Sequence, residues 1–171
     1  AERHGLVTAI DNLLLFRCVQ IVRRLSERDR RIGVFCNISM ASLEDEMFFP
    51  PFLEFMRENR DLASAMIFEL GVRNFNQRSD IAARNMARLR DLGFRFSLDK
   101  GDGLAFDLPE LQAAGVRFVK VNGERLRGER ATEHVVIVGI ARGLDGNRRM
   151  PQSICPQHHA GAFDALFWPA E

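Results

Sequence analysis

The sequence predicts an α/β fold built on parallel strands, and three observations carry that prediction. Four short apolar runs end on or beside a polar residue, at Asn37, Glu69, Asp99 and Lys120. Stretches of helical period separate these runs. The intervals between the four residues are 32, 30 and 21, which suits successive strand–helix units. Right-handed crossovers put every strand's carboxyl end on one side, so the four side chains are expected at the edge where α/β sheets and barrels keep their sites.

Arg3-His4-Gly5 reads as a turn. From Leu6 to Leu25, apolar residues (Leu6, Ile10, Leu13, Leu14, Phe16, Val19, Ile21, Val22, Leu25) recur at helical spacing, which predicts a long core-facing helix. Ile32–Ser39 is β-branched and apolar as far as Asn37, like a strand buried on both faces. Ser42 is expected to head a helix with Asp45 and Glu46 in its first turn, and Pro50-Pro51 to restart the chain before a helix over Phe52–Asn59. Ser64–Leu70 is the second strand, ending at Glu69. Asn74–Arg78 is polar, and Ser79–Leu92 is a helix with Ile81, Met86, Leu89 and Leu92 on one side. Phe94–Asp99 is the third strand, entering a turn with Lys100, Gly101 and Gly103. Asp107 is placed to cap a helix that has Pro109 in its first turn and ends at Ala114-Gly115. Arg117–Val121 is the fourth strand, and Thr132–Arg142 reads as a last helix. After Gly143 the pattern stops. Three of the six prolines fall there, with no helix or strand period. The division is therefore 1–142 as the patterned domain and 143–171 as an unpatterned tail.

Composition limits the function classes. The net charge is +1 and the apolar fraction 46%, so one globular domain, or a piece of a larger one, is expected and nucleic-acid polymers are not expected as partners. Only Lys100 and Lys120 are lysines; the other basic residues are arginines without aromatic interleaving. Cys18, Cys36 and Cys155 show no paired spacing, which points to a reducing, cytoplasmic location. No run approaches the roughly 20 apolar residues of a membrane span, although a tether could lie outside this chain. Cys155, His158 and His159 fit none of the usual zinc spacings. The Phe-rich stretch Met47–Phe55 suits core packing better than a partner surface.

VFCNIS, MIFEL, LGFRFSLDKGDG and VRFVKVNG, in that order and spacing, resemble the EAL domain, a (β/α)₈ barrel that hydrolyses cyclic-di-GMP. The opening AERHGLVTAIDNLLL is similar to that family's AE-x-x-GLI-x-x-ID segment. The resemblance covers about 1–142 and implies a partial barrel of four to five βα units. Position by position, Asn37 matches a metal-binding Asn, Glu69 the first Glu of E-I-T-E, and Asp99 the first Asp of DDFGTG. Lys120 matches the Lys of Y-I-K-I-D, which lies near the attacking water. In the family two divalent cations activate that water and steady the phosphodiester.

The departures shape what the resemblance implies. The Glu-Ala-Leu signature is absent from the chain, as is the late A-E-G-V-E strand. Lys100 stands at the second Asp of DDFGTG, Val72 at the second Glu of E-I-T-E, and Asn122 at the Asp of Y-I-K-I-D. The SLDK form looks most like degenerate EAL proteins of the TipF type, linked to flagellar assembly. The implied function is a non-enzymatic regulatory or scaffold module, in one form a cyclic-di-GMP receptor of a flagellar or signalling assembly. The alternatives are a weak metal-dependent phosphodiesterase and an inactive truncated fragment. Asp99, Lys100 and Asn122 are the implied ligand contacts, Asn37, Glu69 and Asp99 a vestigial metal set, and Lys120 a vestigial catalytic residue. No cofactor is expected, with magnesium or manganese the ion if a metal site survives. The residues themselves leave another reading open, an ion pair of Lys120 with Glu69 or Asp99. An incomplete barrel would also leave strand edges that favour self-association.

Overall fold

The computed structural model describes residues 2–28, 32–101, 107–122, 135–139 and 165–167. In chain order the elements are α1 (Glu2–Arg28), β1 (Ile32–Asn37), α2 (Met40–Glu44), α3 (Phe49–Glu58), a 3-10 turn (Arg60–Leu62) and β2 (Met66–Gly71). There follow α4 (Val72–Asn76), α5 (Asp80–Asp91), β3 (Arg95–Gly101), α6 (Leu108–Ala113), β4 (Val116–Asn122), β5 (Val135–Gly139) and β6 (Ala165–Phe167). The strands form one sheet in the order β5-β4-β3-β2-β1-β6. β1 to β4 pair in parallel, in sequence order, as the strand–helix spacing predicted. β5 and β6 close the two sides antiparallel, against β4 and β1. Among the described residues no helix is long and apolar enough to cross a membrane.

The helix expected over Thr132–Arg142 is corrected at its centre, where Val135–Gly139 is a strand. Val135, Val136, Ile137 and Val138 are four β-branched residues in succession, and the open edge of β4 gives their backbone groups partners. A short apolar run fits either period, so tertiary pairing decided it. Residues 132–134 and 140–142 lie outside the described residues. So does most of the 143–171 tail, with Cys155, His158, His159 and the proposed division at Gly143. Its one described piece, Ala165–Phe167, corrects the expectation of no strand there.

Other corrections are local. Arg3–Gly5 belongs to α1 and is not a turn. Ser39, not Ser42, caps α2, its side chain accepting the Ser42 N–H at 3.1 Å. Pro50 and Pro51 lie inside the first turn of α3, where a missing N–H costs nothing. Val72–Asn76 forms a short helix that buries Phe75. Ser79 and Asp107 cap α5 and α6 through the N–H groups of Ala82 and Glu110. Ile81 is exposed, while Met86 and Leu89 on the same helix are fully buried.

The long first helix is present, but only part of it faces the core. Leu15, Cys18, Val19 and Val22 are buried, whereas Leu6, Ile10, Leu13, Leu14 and Phe16 are exposed. The main core lies on the side of the sheet that the helices cover. Val34 and Cys36 of β1, Met66, Phe68 and Leu70 of β2, and Phe96 and Leu98 of β3 point into it. Phe68 is its centre, with ring centroids 5.9 Å from Phe52, 5.4 Å from Phe94 and 5.9 Å from Phe96. Gly93 ends α5 at φ 99°, and the N–H groups of Gly93 and Phe94 bond back to the Arg90 and Leu89 carbonyls at 2.8 and 3.2 Å. That left-handed termination aims β3 into the sheet.

Candidate functional site

Because side chains alternate along a strand, the residues between those core positions occupy the opposite face. There Phe35, Ile67, Glu69, Arg95, Ser97, Phe118 and Lys120 form a second, mixed layer. The Phe35 and Phe118 rings meet edge-on at 5.7 Å, and the Arg95 guanidinium lies 5.7 Å from the centre of Phe118. Arg95 also donates to the Ser64 carbonyl at the strands' amino ends. Burial, and then the nearby Arg117 charge, pull its pKa below the usual guanidinium value.

Toward the carboxyl ends this layer becomes ionic. Asn37 of β1 is in register with Glu69 of β2, and Glu69 with Ser97 of β3. Asp99 is in register with Gly71, so it stands one layer further out than Glu69. Lys120 of β4 reaches across β3 and places Nζ 2.6 Å from Glu69 Oε2. Both side chains are nearly buried, at 11% and 8% exposure for Lys120 and Glu69. The ammonium also sits 4.7 Å from the centre of the Phe35 ring. Ser97, fully buried, stands on the strand the ion pair crosses, and its hydroxyl has no hydrogen-bond partner among the described residues. Of the two partners the sequence left open for Lys120, the structure selects Glu69.

Asn37, Glu69, Asp99 and Lys120 thus share one end of the parallel strands, and Glu69 and Lys120 touch. Asn37 is exposed and Asp99 half-buried. Lys100 follows Asp99 within β3, and Asn122 is the last residue of β4; their backbones belong to the same edge. Gly103 lies outside the described residues. Sequence reading missed Phe35, Ser97 and Phe118. The available signal was parity: Phe35 is two residues before Asn37, Ser97 two before Asp99, and Phe118 two before Lys120.

Glu69's carboxylate meets the Lys120 ammonium, and among the described residues no three His, Cys, Asp or Glu side chains gather as the two divalent cations implied by the resemblance would require. Cys36 and Cys18 are buried, free thiols on the helix side of the sheet. Contact with Cys18, then burial, push the Cys36 thiol far up and hold it protonated.

Comparison with known proteins supplies the context for this arrangement. The EAL domain family matches residues 1–142. No curated protein sequence matches. Among solved structures, the PaMucR phosphodiesterase in its c-di-GMP complex superposes with a TM-score of 0.58 at 17% identity, over 74% of this chain and 53% of that one. The Vibrio cholerae LapD S helix-GGDEF-EAL chain, bound to c-di-GMP, gives 0.55 at 16% identity, over 69% and 29%. Those likenesses establish a shared fold, and the chain spans about half or less of each of these relatives. Together with the family match over 1–142, they explain four parallel strands that carry Asn37, Glu69, Asp99 and Lys120 on one edge. The chain belongs to the EAL domain family.

Proposed function

We propose that this EAL domain is a regulatory module that binds cyclic-di-GMP without hydrolysing it. The observation that carries the proposal is that Lys100, Val72 and Asn122 stand where the family pattern has acids. Lys100 adds a positive charge beside Asp99, where the family pattern has a second acid. Val72 and Asn122 replace two further acids. Each substitution removes negative charge from a site whose chemistry depends on collecting it.

The same changes suit an anionic ligand. Lys100, Asn122 and Asp99 belong to the carboxyl edge of the sheet by sequence position, and an ammonium and an amide can meet phosphate while a carboxylate accepts from a guanine edge. Two proteins of similar fold, PaMucR and LapD, form complexes with c-di-GMP, which supports the ligand class. A role in flagellar assembly or motility, through a protein partner, remains part of this proposal and rests on the TipF-like SLDK sequence.

The test is titration calorimetry with cyclic-di-GMP, alongside chromatography of linear dinucleotide formed over hours with millimolar manganese. Saturable binding without product is expected, both for the parent and for Lys100→Asp, since groups that act as a unit are not restored one at a time. Turnover by the parent that disappears in Glu69→Ala would establish the phosphodiesterase instead. Absence of both binding and turnover would reject the receptor.

A further inference from the structure

Helix α1 buries the wrong residues for a helix held only by apolar packing. Its inward stripe runs Thr8, Asp11, Leu15, Cys18, Val19 and Val22, all under 9% exposed. The first two positions are polar. Meanwhile Leu6, Ile10 and Leu13, on the same turns, are 66%, 56% and 64% exposed. The two sets lie on nearly opposite sides of the helix, and Thr8 and Asp11 meet polar partners on the inward side.

Their partners are in the turn that follows β1. Asp11 Oδ2 accepts the Ser39 N–H at 2.7 Å and the Ser42 hydroxyl at 2.6 Å. Ser39 Oγ donates onward to Ser42 Oγ at 3.0 Å, making a chain of hydroxyls that ends on the carboxylate. On the other flank, the Ile38 N–H donates to the Glu69 carbonyl at 3.1 Å. Thr8 bonds to Asp45, just past the end of α2. The two residues after Asn37 are therefore tied to β2 on one side and to α1 on the other.

We propose that Asp11 is a positioning residue for the ligand site: through Ser39 and Ser42 it fixes the direction in which Asn37 leaves β1. The inference rests on the reading of that edge as a cyclic-di-GMP site. A buried carboxylate needs strong donors to offset its desolvation, and the two short bonds supply them. They also fix Ser39 in the extended backbone conformation that caps α2. Asn37 is exposed, with its own side chain facing solvent, so its placement depends on the backbone that follows. The clamp makes α1 a support of the site and explains why its buried stripe is polar at this level.

The experiment uses the whole chain with Asp11→Ala and Asp11→Asn. Cyclic-di-GMP affinity is measured with amide exchange at Ser39, NMR shifts of the Asn37 side-chain amide, and exchange at Phe68 as a core control. Asp11→Ala is expected to lose Ser39 protection, move the Asn37 signals and weaken the dinucleotide about tenfold, the scale of one charge-assisted hydrogen bond. Phe68 should stay protected. Asp11→Asn keeps an acceptor oxygen and should recover most of the affinity. Unmoved Asn37 signals and unchanged affinity in Asp11→Ala, with only a lower melting temperature, would reduce Asp11 to packing and overturn the proposal. If the parent does not bind cyclic-di-GMP, the receptor reading fails on its own, and the Asn37 shifts alone decide whether Asp11 positions that residue. If Asp11→Ala does not fold, Asp11→Asn decides: smaller displacements of the Ser39 and Asn37 signals support the clamp, and none rejects it.

Discussion

Met66, Phe68 and Leu70 leave β2 on one side of the sheet, Ile67 and Glu69 on the other, and the two sides are stabilised differently. The helix side is a continuous apolar core in which Phe68 meets Phe52, Phe94 and Phe96. Nothing there depends on one partner, because dispersion and the hydrophobic effect sum over many neighbours. The opposite side places a buried ion pair whose ammonium lies 4.7 Å from the centre of the Phe35 ring. One face is held by many small contacts; the other includes a specific charge pair. The site sits on the second.

The largest effect expected from breaking this contrast is on the helix side. Phe68→Ala removes a fully buried ring from the centre of the core and should cost about 4 kcal/mol, from lost transfer energy and the cavity left behind. Urea denaturation measures it. A second core truncation at Leu111, on α6, should add its own cost almost independently. Strong non-additivity between the two would contradict the picture of a core held by many small contacts.

A somewhat smaller effect is expected on the site side, with the opposite arithmetic. Lys120→Met leaves the buried Glu69 without the Lys120 ammonium, at a cost of about 3 kcal/mol. Adding Glu69→Leu removes the carboxylate left behind and should recover most of that loss. The double variant should then fall within about 1 kcal/mol of the parent. A double-mutant cycle read by urea denaturation checks this, and additive single losses would show that the two side chains do not act as a pair.

This difference between faces also explains how much the sequence revealed. The four parallel strands were legible because short apolar runs ending on or beside a polar residue recur at a spacing that suits strand–helix units. Glu69 and Lys120 were legible as candidates by position, yet their pairing was not. Three strands separate in sequence come together there, and only the register across β3 shows that Lys120 reaches Glu69 instead of Asp99. Val135–Gly139 was misread because five apolar residues carry no decisive period; the unpaired edge of β4 settled the matter. Leu6, Ile10 and Leu13 were misplaced for a related reason. Helical periodicity reports which residues can share a face, and the face that turns inward is the one on which Asp11 bonds to Ser39 and Ser42.

The smallest expected effect compares the buried carboxylate of Glu69 with one left at the surface. Asp45 accepts the N–H groups of Met47 and Phe48, each at 2.9 Å. The Phe48 bond, then the Met47 bond, with Thr8 contributing less, hold its carboxyl below the ordinary aspartate range. The sign of the pH dependence follows. A folded-state value below the unfolded one means the unfolded chain takes up the proton first, so this stabilisation is fully present above about pH 4 and is lost as pH falls through the depressed value. Asp45→Asn keeps an acceptor oxygen but cannot titrate. Melting temperatures of parent and variant should therefore differ by a constant, modest amount from pH 5 to 7 and converge as the solution is taken toward pH 2. Because water screens Asp45, the separation should be well below the loss expected for Lys120→Met. A gap that widens on acidification would mean that Asp45 is not stabilised in its charged form.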